Sequence, residues 1–184
     1  MAGEILFRAT AELRVRSDGD GRTVYGIVVP YGQVAEVDDG RGPYRESFEP
    51  GAFSRSIADR GAKVRLFVNH ATHTRLPIGR ATALEERPDG LHGAFTVSAT
   101  RDGDEAITLI QDGVVDAFSV GFRPIRERND KGVVRRIEAA LREVSLVSMP
   151  AYPGALVGGV RSTPHLSAED ARRRLDLWRK AYER

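Results

Sequence analysis

Short apolar segments that suit β-strands recur along most of this chain, and they constrain the fold more than any other feature. Turn-forming sequences such as SDGDGR (17–22) and PDG (88–90) separate neighbouring segments. Few helical patterns stand between them, and the strand–helix–strand rhythm of a parallel sheet is absent. The segments are 5–16, 23–32, 63–70, 78–87, 91–99, 114–121, 133–140 and 141–149, the last two of which can join with a bend. We therefore predict a mainly β fold with flanking helices, closed or nearly closed into a barrel.

Three segments have helical patterns, and the last of them sets the predicted domain organisation. The first two, 48–61 and 102–113, stand among the strands, and each ends on a glycine. Residues 167–184 form a charged helix with a narrow apolar stripe, and 161–166 is a proline-containing linker before it. We predict one domain over 1–160, and a terminal helix that either covers one end of the barrel or docks on another helix.

Composition restricts the partners and the chemistry. The 28 basic residues are interleaved with 26 acidic ones, so no face concentrates positive charge and we expect no nucleic-acid partner. The chain has no cysteine, which excludes thiol catalysis and sulfur-based zinc sites. No apolar run approaches the roughly 20 residues of a membrane span, so we expect no membrane partner either.

A serine stands in the middle of the apolar segment VVDAFSVG (114–121), which otherwise has the pattern of a buried strand. Side chains alternate between the two faces of a strand, so Phe118 belongs to one bulky, apolar face. Ala117 and Gly121 flank Ser119 on the other face, where small residues leave room above the hydroxyl. Most buried serines only make a hydrogen bond in the core, so this segment alone does not define a nucleophile.

Two more polar residues interrupt apolar strands. His70 ends the segment 63–70, and Glu143 lies in the segment 141–149, whose two faces are both largely apolar. A buried carboxylate is costly unless it is paired and hydrogen-bonded, and an imidazole would be a suitable partner. A serine, a histidine and a carboxylate are the set that acyl transfer uses. We therefore predict a catalytic triad of His70, Ser119 and Glu143.

The remaining histidines offer alternatives. His92 lies on the polar face of its hairpin segment, where a solvated side chain is expected, but it remains the other candidate for the third member of the triad. His73 follows His70 by three residues, and no third ligand stands at a recognisable spacing, so we predict neither a metal nor a cofactor. The chain has no G-x-S-x-G sequence, which argues against an α/β-hydrolase.

Five segments, taken in order, resemble the prohead (capsid maturation) serine proteases of tailed bacteriophages, a family related to the herpesvirus assembly proteases. The resemblance covers about residues 5–160. It rests on GIVVPYGQVAEV, ESFEPGAFSRSI, VRLFVNHATHTRLPIGR, DAFSVGFRP and REVSLVSMPAYPGA. It implies a β-barrel surrounded by helices, with His70 as the base and Ser119 as the nucleophile. The third member in the herpesvirus enzymes is a histidine, and Glu143 stands at the matching position here.

The resemblance also implies a biological role. The chain would be a serine endopeptidase inside the phage procapsid, in the host cytoplasm or that of a bacterium carrying a prophage. It would cleave the scaffold protein or the scaffolding segment of the major capsid protein, and self-cleavage and a homo-oligomer are both compatible with it. A non-enzymatic barrel that binds scaffold is the alternative.

The stretch SMPAYPGA (148–155) departs from the herpesvirus pattern, because it lacks the arginine that those enzymes place near the oxyanion site. Backbone N–H groups around Pro150–Gly154 are the first candidates for oxyanion donors, and Arg123 is the second.

Overall fold

The computed structural model describes residues 6–10, 21–38, 40, 42–148 and 159–161, and it confirms a mainly β fold with few helices. The helices are α1 (Ser54–Arg60) and α2 (Arg101–Gln111), and a short 3₁₀ turn (Gly61–Lys63) follows α1. The strands are β1 (Leu6–Thr10), β2 (Thr23–Pro30), β3 (Ala35–Val37), β4 (Tyr44–Phe48), β5 (Arg65–Val68), β6 (Gly79–Arg87), β7 (Gly90–Val97), β8 (Ala117–Asp130), β9 (Val133–Val147) and β10 (Gly159–Arg161).

All ten strands belong to one sheet, which is open. The main path of pairing runs β1-β8-β9-β5-β6-β7-β2-β10, and β4 joins it through β9 and carries β3. The predicted closure into a barrel is therefore wrong: in the described part of the chain, the path ends at β1 on one side and at β10 on the other, with no ladder between them. Closure would require these two short strands to pair, and each has its single ladder on an inner strand.

The hairpin of β8 and β9 is the longest unit of the sheet. Its turn contains Lys131 and Gly132, both in the left-handed region, which lets the chain reverse within two residues. The two segments predicted at 133–140 and 141–149 are one continuous strand. Three register shifts interrupt the ladder between β8 and β9, and irregularities of this kind commonly bend a pair of strands.

Strand β9 also has parallel partners, which the sequence did not predict. Its other edge pairs with β4 over residues 133–136 and with β5 over residues 144–146. Two short strands from distant parts of the chain thus share one edge of β9. The pairing of β5 with β9 matters for the site, because His70 follows β5 by two residues.

The core lies on the face of β8 that the sequence assigned to bulky side chains. Phe118, Val120 and Phe122 are all fully buried, as predicted. Phe122 meets Phe48 edge-on at a ring-centroid distance of 5.1 Å, and Phe48 stacks on Phe53 at 5.3 Å. Aromatic contacts of this kind add to the free energy of burying the rings.

Strand β8 begins later than predicted. Val114 lies before it and is 56% exposed, because the backbone is still closing α2 at this point. The N–H groups of Val114 and Val115 both donate to the carbonyl of Leu109, and Gly113 takes the left-handed conformation that such helix ends favour. These N–H groups cannot join a sheet ladder at the same time.

Both predicted internal helices are present. Thr100 caps α2 by accepting the N–H of Gly103 on its side chain. The residues before α1 are bound by Glu86 of β6, whose carboxylate accepts the N–H groups of Gly51 and Phe53. The same carboxylate also accepts a hydrogen bond from the hydroxyl of Tyr31. Burial, reinforced by this carboxylate, raises the pKa of Tyr31 well above its usual range, so the hydroxyl stays a donor.

The predicted C-terminal helix lies outside the described residues. Arg161, with which the predicted linker begins, is the last residue of β10, and the description ends there. Within the described ranges, neither helix has the length and apolar character needed to cross a bilayer.

We predict that Phe48→Ala lowers the free energy of unfolding by about 3–5 kcal/mol, because it removes a fully buried ring that contacts two other aromatic rings. Leu76→Ala is the control: Leu76 is 86% exposed, so its loss should change that free energy by less than about 0.5 kcal/mol. Urea unfolding followed by circular dichroism measures both. Equal stabilities of the two variants would contradict the assignment of this cluster to the core.

Candidate active site

Ser119 lies in the interior of the sheet, on a strand that has neighbours on both sides. Its backbone is opposite Ala9 of β1 and Ser145 of β9. The residue is 2% exposed. Ala117 and Gly121 lie beside it on the same face, as the sequence predicted, and Gly121 is directly opposite Glu143. This register places Glu143 two positions along the ladder from the pair of Ser119 and Ser145, on the same face of the sheet.

His70 reaches this face from a tight turn at the end of β5. The parallel pairing with β9 continues one residue past the strand, because the N–H of Asn69 donates to the carbonyl of Leu146 at 3.0 Å. Asn69 and His70 then both adopt positive φ, at 49° and 54°. Residues with a Cβ rarely adopt this left-handed conformation. Two in succession therefore need surrounding contacts that hold them there.

The structure brings the three predicted residues into one hydrogen-bonded chain. His70 Nε2 is 2.5 Å from Ser119 Oγ, and His70 Nδ1 is 2.7 Å from Glu143 Oε1. One ring nitrogen therefore faces the hydroxyl and the other faces the carboxylate. A carboxylate can only accept, so the proton of a neutral ring belongs on Nδ1, and Nε2 is left to accept from the serine hydroxyl.

Glu143 is 4% exposed, and its second oxygen also has a donor. Ser145 Oγ donates to Glu143 Oε2 at 2.7 Å. The same oxygen of Ser145 accepts the backbone N–H of His70 at 3.2 Å. Ser145 is not among the predicted site residues, although its position two residues after Glu143 on one strand face indicates that the two side chains are neighbours.

His92 and His73 lie elsewhere. The His92 ring, on β7, is 2.9 Å from Asp89 Oδ1 in the adjoining turn. Partial burial opposes ionisation of Asp89, but the hydrogen bond and charge of His92 outweigh it, and the pKa of Asp89 is lowered. His73 is exposed on the loop after His70. Within the described residues, no three His, Asp or Glu side chains are grouped so as to hold a metal ion.

Of the two predicted sources of oxyanion donors, only Arg123 lies in the described part of the chain. Residues 150–154 lie outside the described part of the chain. Arg123 is half-buried on β8, and its Nε has no hydrogen-bond partner among the described residues. The role of either donor stays a prediction.

Comparison with known proteins identifies the family. Residues 11–168 match the family model described as caudovirus prohead serine protease. The match spans most of the sequence, and the chain belongs to this family. The prohead protease of Enterobacteria phage HK97 is 30% identical over an alignment of 155 residues, and the match covers 82% of this chain. The chain spans 66% of the length of that relative.

A solved structure shares the fold. The bacteriophage T4 capsid assembly protease superposes with a TM-score of 0.59 at 10% sequence identity. The superposition covers 82% of this chain and 100% of the T4 chain. At this identity the likeness concerns the fold alone.

Proposed function

We propose that this chain is a serine endopeptidase that uses Ser119 as nucleophile, His70 as general base and acid, and Glu143 as the carboxylate that orients and stabilises the imidazole. The observation that carries the proposal is the continuous chain of contacts from Ser119 Oγ through the His70 ring to Glu143. Membership of a prohead serine protease family supports it. The relation to the herpesvirus assembly proteases stays a prediction from the sequence.

The reaction would begin when His70 Nε2 takes the proton of Ser119 and Oγ attacks the scissile carbonyl carbon. The resulting imidazolium would lie 2.7 Å from the Glu143 carboxylate, whose burial keeps this attraction largely free of screening by solvent. His70 would then return the proton to the leaving amine as the peptide bond breaks. Water, deprotonated by the same nitrogen, would hydrolyse the acyl-enzyme and restore the hydroxyl.

The proposed substrates are the scaffold protein or the scaffolding segment of the major capsid protein, cut inside the procapsid. The family and the HK97 relative, itself called a prohead protease, support this assignment. The small residues beside Ser119 are compatible with an extended peptide lying over the hydroxyl. Self-cleavage and self-association belong to the same proposal, and the role of Pro150–Gly154 or Arg123 as oxyanion donors completes it.

We predict that Ser119→Ala abolishes cleavage of the major capsid protein and its scaffold while the chain stays folded. Loss of a triad nucleophile costs roughly 10⁴- to 10⁶-fold in turnover, whereas removing one hydroxyl from this face leaves the sheet intact. Electrophoresis and mass spectrometry of the substrates, co-expressed with each form, measure cleavage. Retained cleavage would overturn the assignment, and an uncut substrate with the parent chain would favour the scaffold-binding alternative.

We predict that Glu143→Gln lowers turnover by about 10²- to 10⁴-fold, which is less than the loss from His70→Ala. An amide cannot stabilise the imidazolium, and its NH₂ group turned toward Nδ1 would force the proton of the ring onto Nε2. His92→Ala is the matched control, because the His92 ring bonds to Asp89 and not to the triad.

Turnover of the three variants at one pH, with circular dichroism to confirm folding, checks this ranking. A His92→Ala loss as large as that of His70→Ala would make His92 the third member and Glu143 structural.

A further inference from the structure

We propose that Ser145 is a positioning residue of this site. It fixes the orientation of His70 in two ways, directly at the backbone N–H of His70 and through Glu143 at the His70 ring. This inference rests on the proposed function and adds a fourth residue to it. It starts from a closed loop of hydrogen bonds. The His70 backbone N–H donates to Ser145 Oγ, Ser145 Oγ donates to Glu143 Oε2, and Glu143 Oε1 lies 2.7 Å from Nδ1 of the same histidine.

The direction of each bond in this loop is determined by what each group can do. A backbone N–H only donates, so it uses a lone pair of the Ser145 oxygen. The single hydroxyl proton of Ser145 is then available for Glu143, and both carboxylate oxygens accept. A carboxylate whose two oxygens both accept requires the ring proton on Nδ1. The carboxylate by itself sets this tautomer, and the Ser145 hydroxyl holds the carboxylate in place through its second oxygen.

Ser145 also holds the unusual backbone that presents the ring. His70 has φ of 54° and follows Asn69 at 49°, a conformation that costs free energy for residues with a Cβ. The hydrogen bond from the His70 N–H to Ser145 is one contact that ties this turn to β9. Ser145 is fully buried, so its hydroxyl makes both hydrogen bonds away from bulk water. Its loss would remove an acceptor from the N–H and a donor from a carboxylate oxygen, which is costly in a buried site.

The reaction with a fluorophosphonate tests this role without a protein substrate, because it requires only an activated Ser119. Saturation kinetics separate the rate constant of covalent reaction from the affinity for the probe. The informative pair is Ser145→Thr and Ser145→Val, which have nearly the same shape and differ by the hydroxyl. Each adds the same methyl group to a packed site, so the cost of overpacking is shared.

We expect Ser145→Val to lower the rate constant by roughly tenfold to hundredfold, because sub-ångström misplacement of reacting groups has effects of this size. Ser145→Thr should recover most of that loss, and the affinity for the probe should change little in either. Ser145→Ala, which avoids overpacking, should behave like Ser145→Val and decides the case if the valine variant does not fold.

Ser56→Ala is the control for a purely structural effect. Ser56 is another buried serine, on α1. Its Oγ accepts the N–H of Leu141 at 2.9 Å, and Leu141 lies on β9, the strand that also carries Ser145. Its loss should lower the melting temperature as Ser145→Ala does and leave the rate constant unchanged.

The possible results distinguish a failure of the proposed function from a failure of the proposed role of Ser145. If the parent chain does not react at Ser119, the proposed function fails and this inference fails with it. If the parent reacts and Ser145→Ala reacts at the same rate, or if the threonine and valine variants lose equally, Ser145 is only a packing residue. A loss in Ser56→Ala as large as that in Ser145→Ala would also contradict the positioning role.

Discussion

The double pairing of β9 is the constraint on which the geometry of the site depends. One edge of β9 pairs with β8 and aligns Ser119 with Ser145 and Gly121 with Glu143. The other edge pairs in parallel with β5, and this pairing delivers the chain to His70 beside the same residues. A slip of one residue in either ladder would move the polar side chains of that strand to the opposite face. The bulky core face of β8 resists such a slip, because it would expose buried aromatic rings.

A buried carboxylate is normally a cost to folding, and the way this chain offsets the cost also prepares the proposed chemistry. Each oxygen of Glu143 has a hydrogen-bond partner, the His70 ring on one side and the Ser145 hydroxyl on the other. Burial that would be unfavourable for a lone charge strengthens these contacts instead. The same groups that stabilise the folded state would therefore stabilise a positive charge on the imidazole during acyl transfer.

The sequence predicted the three residues that the hydrogen-bonded chain joins, because each is a polar residue in a segment that is otherwise apolar, which is a local signal. It also predicted both internal helices and the hairpin around PDG. It could not predict the two parallel pairings of β9, because residues far apart in the chain carry no local mark of their pairing. The barrel prediction failed for the same reason: strand patterns indicate how many strands exist but not whether the outermost ones pair. The proposed role of Ser145 depends on the turn at His70. No feature of the sequence indicates that His70 has a positive φ.

The identity of the residue that a fluorophosphonate modifies tests the central claim most directly. After reaction of the parent chain, tandem mass spectrometry of a digest locates the covalent adduct. The account predicts one adduct per chain, on the Ser119 hydroxyl, and predicts its loss in His70→Ala although Ser119 is still present. No adduct on the parent chain, or an adduct on any other residue, would contradict the account.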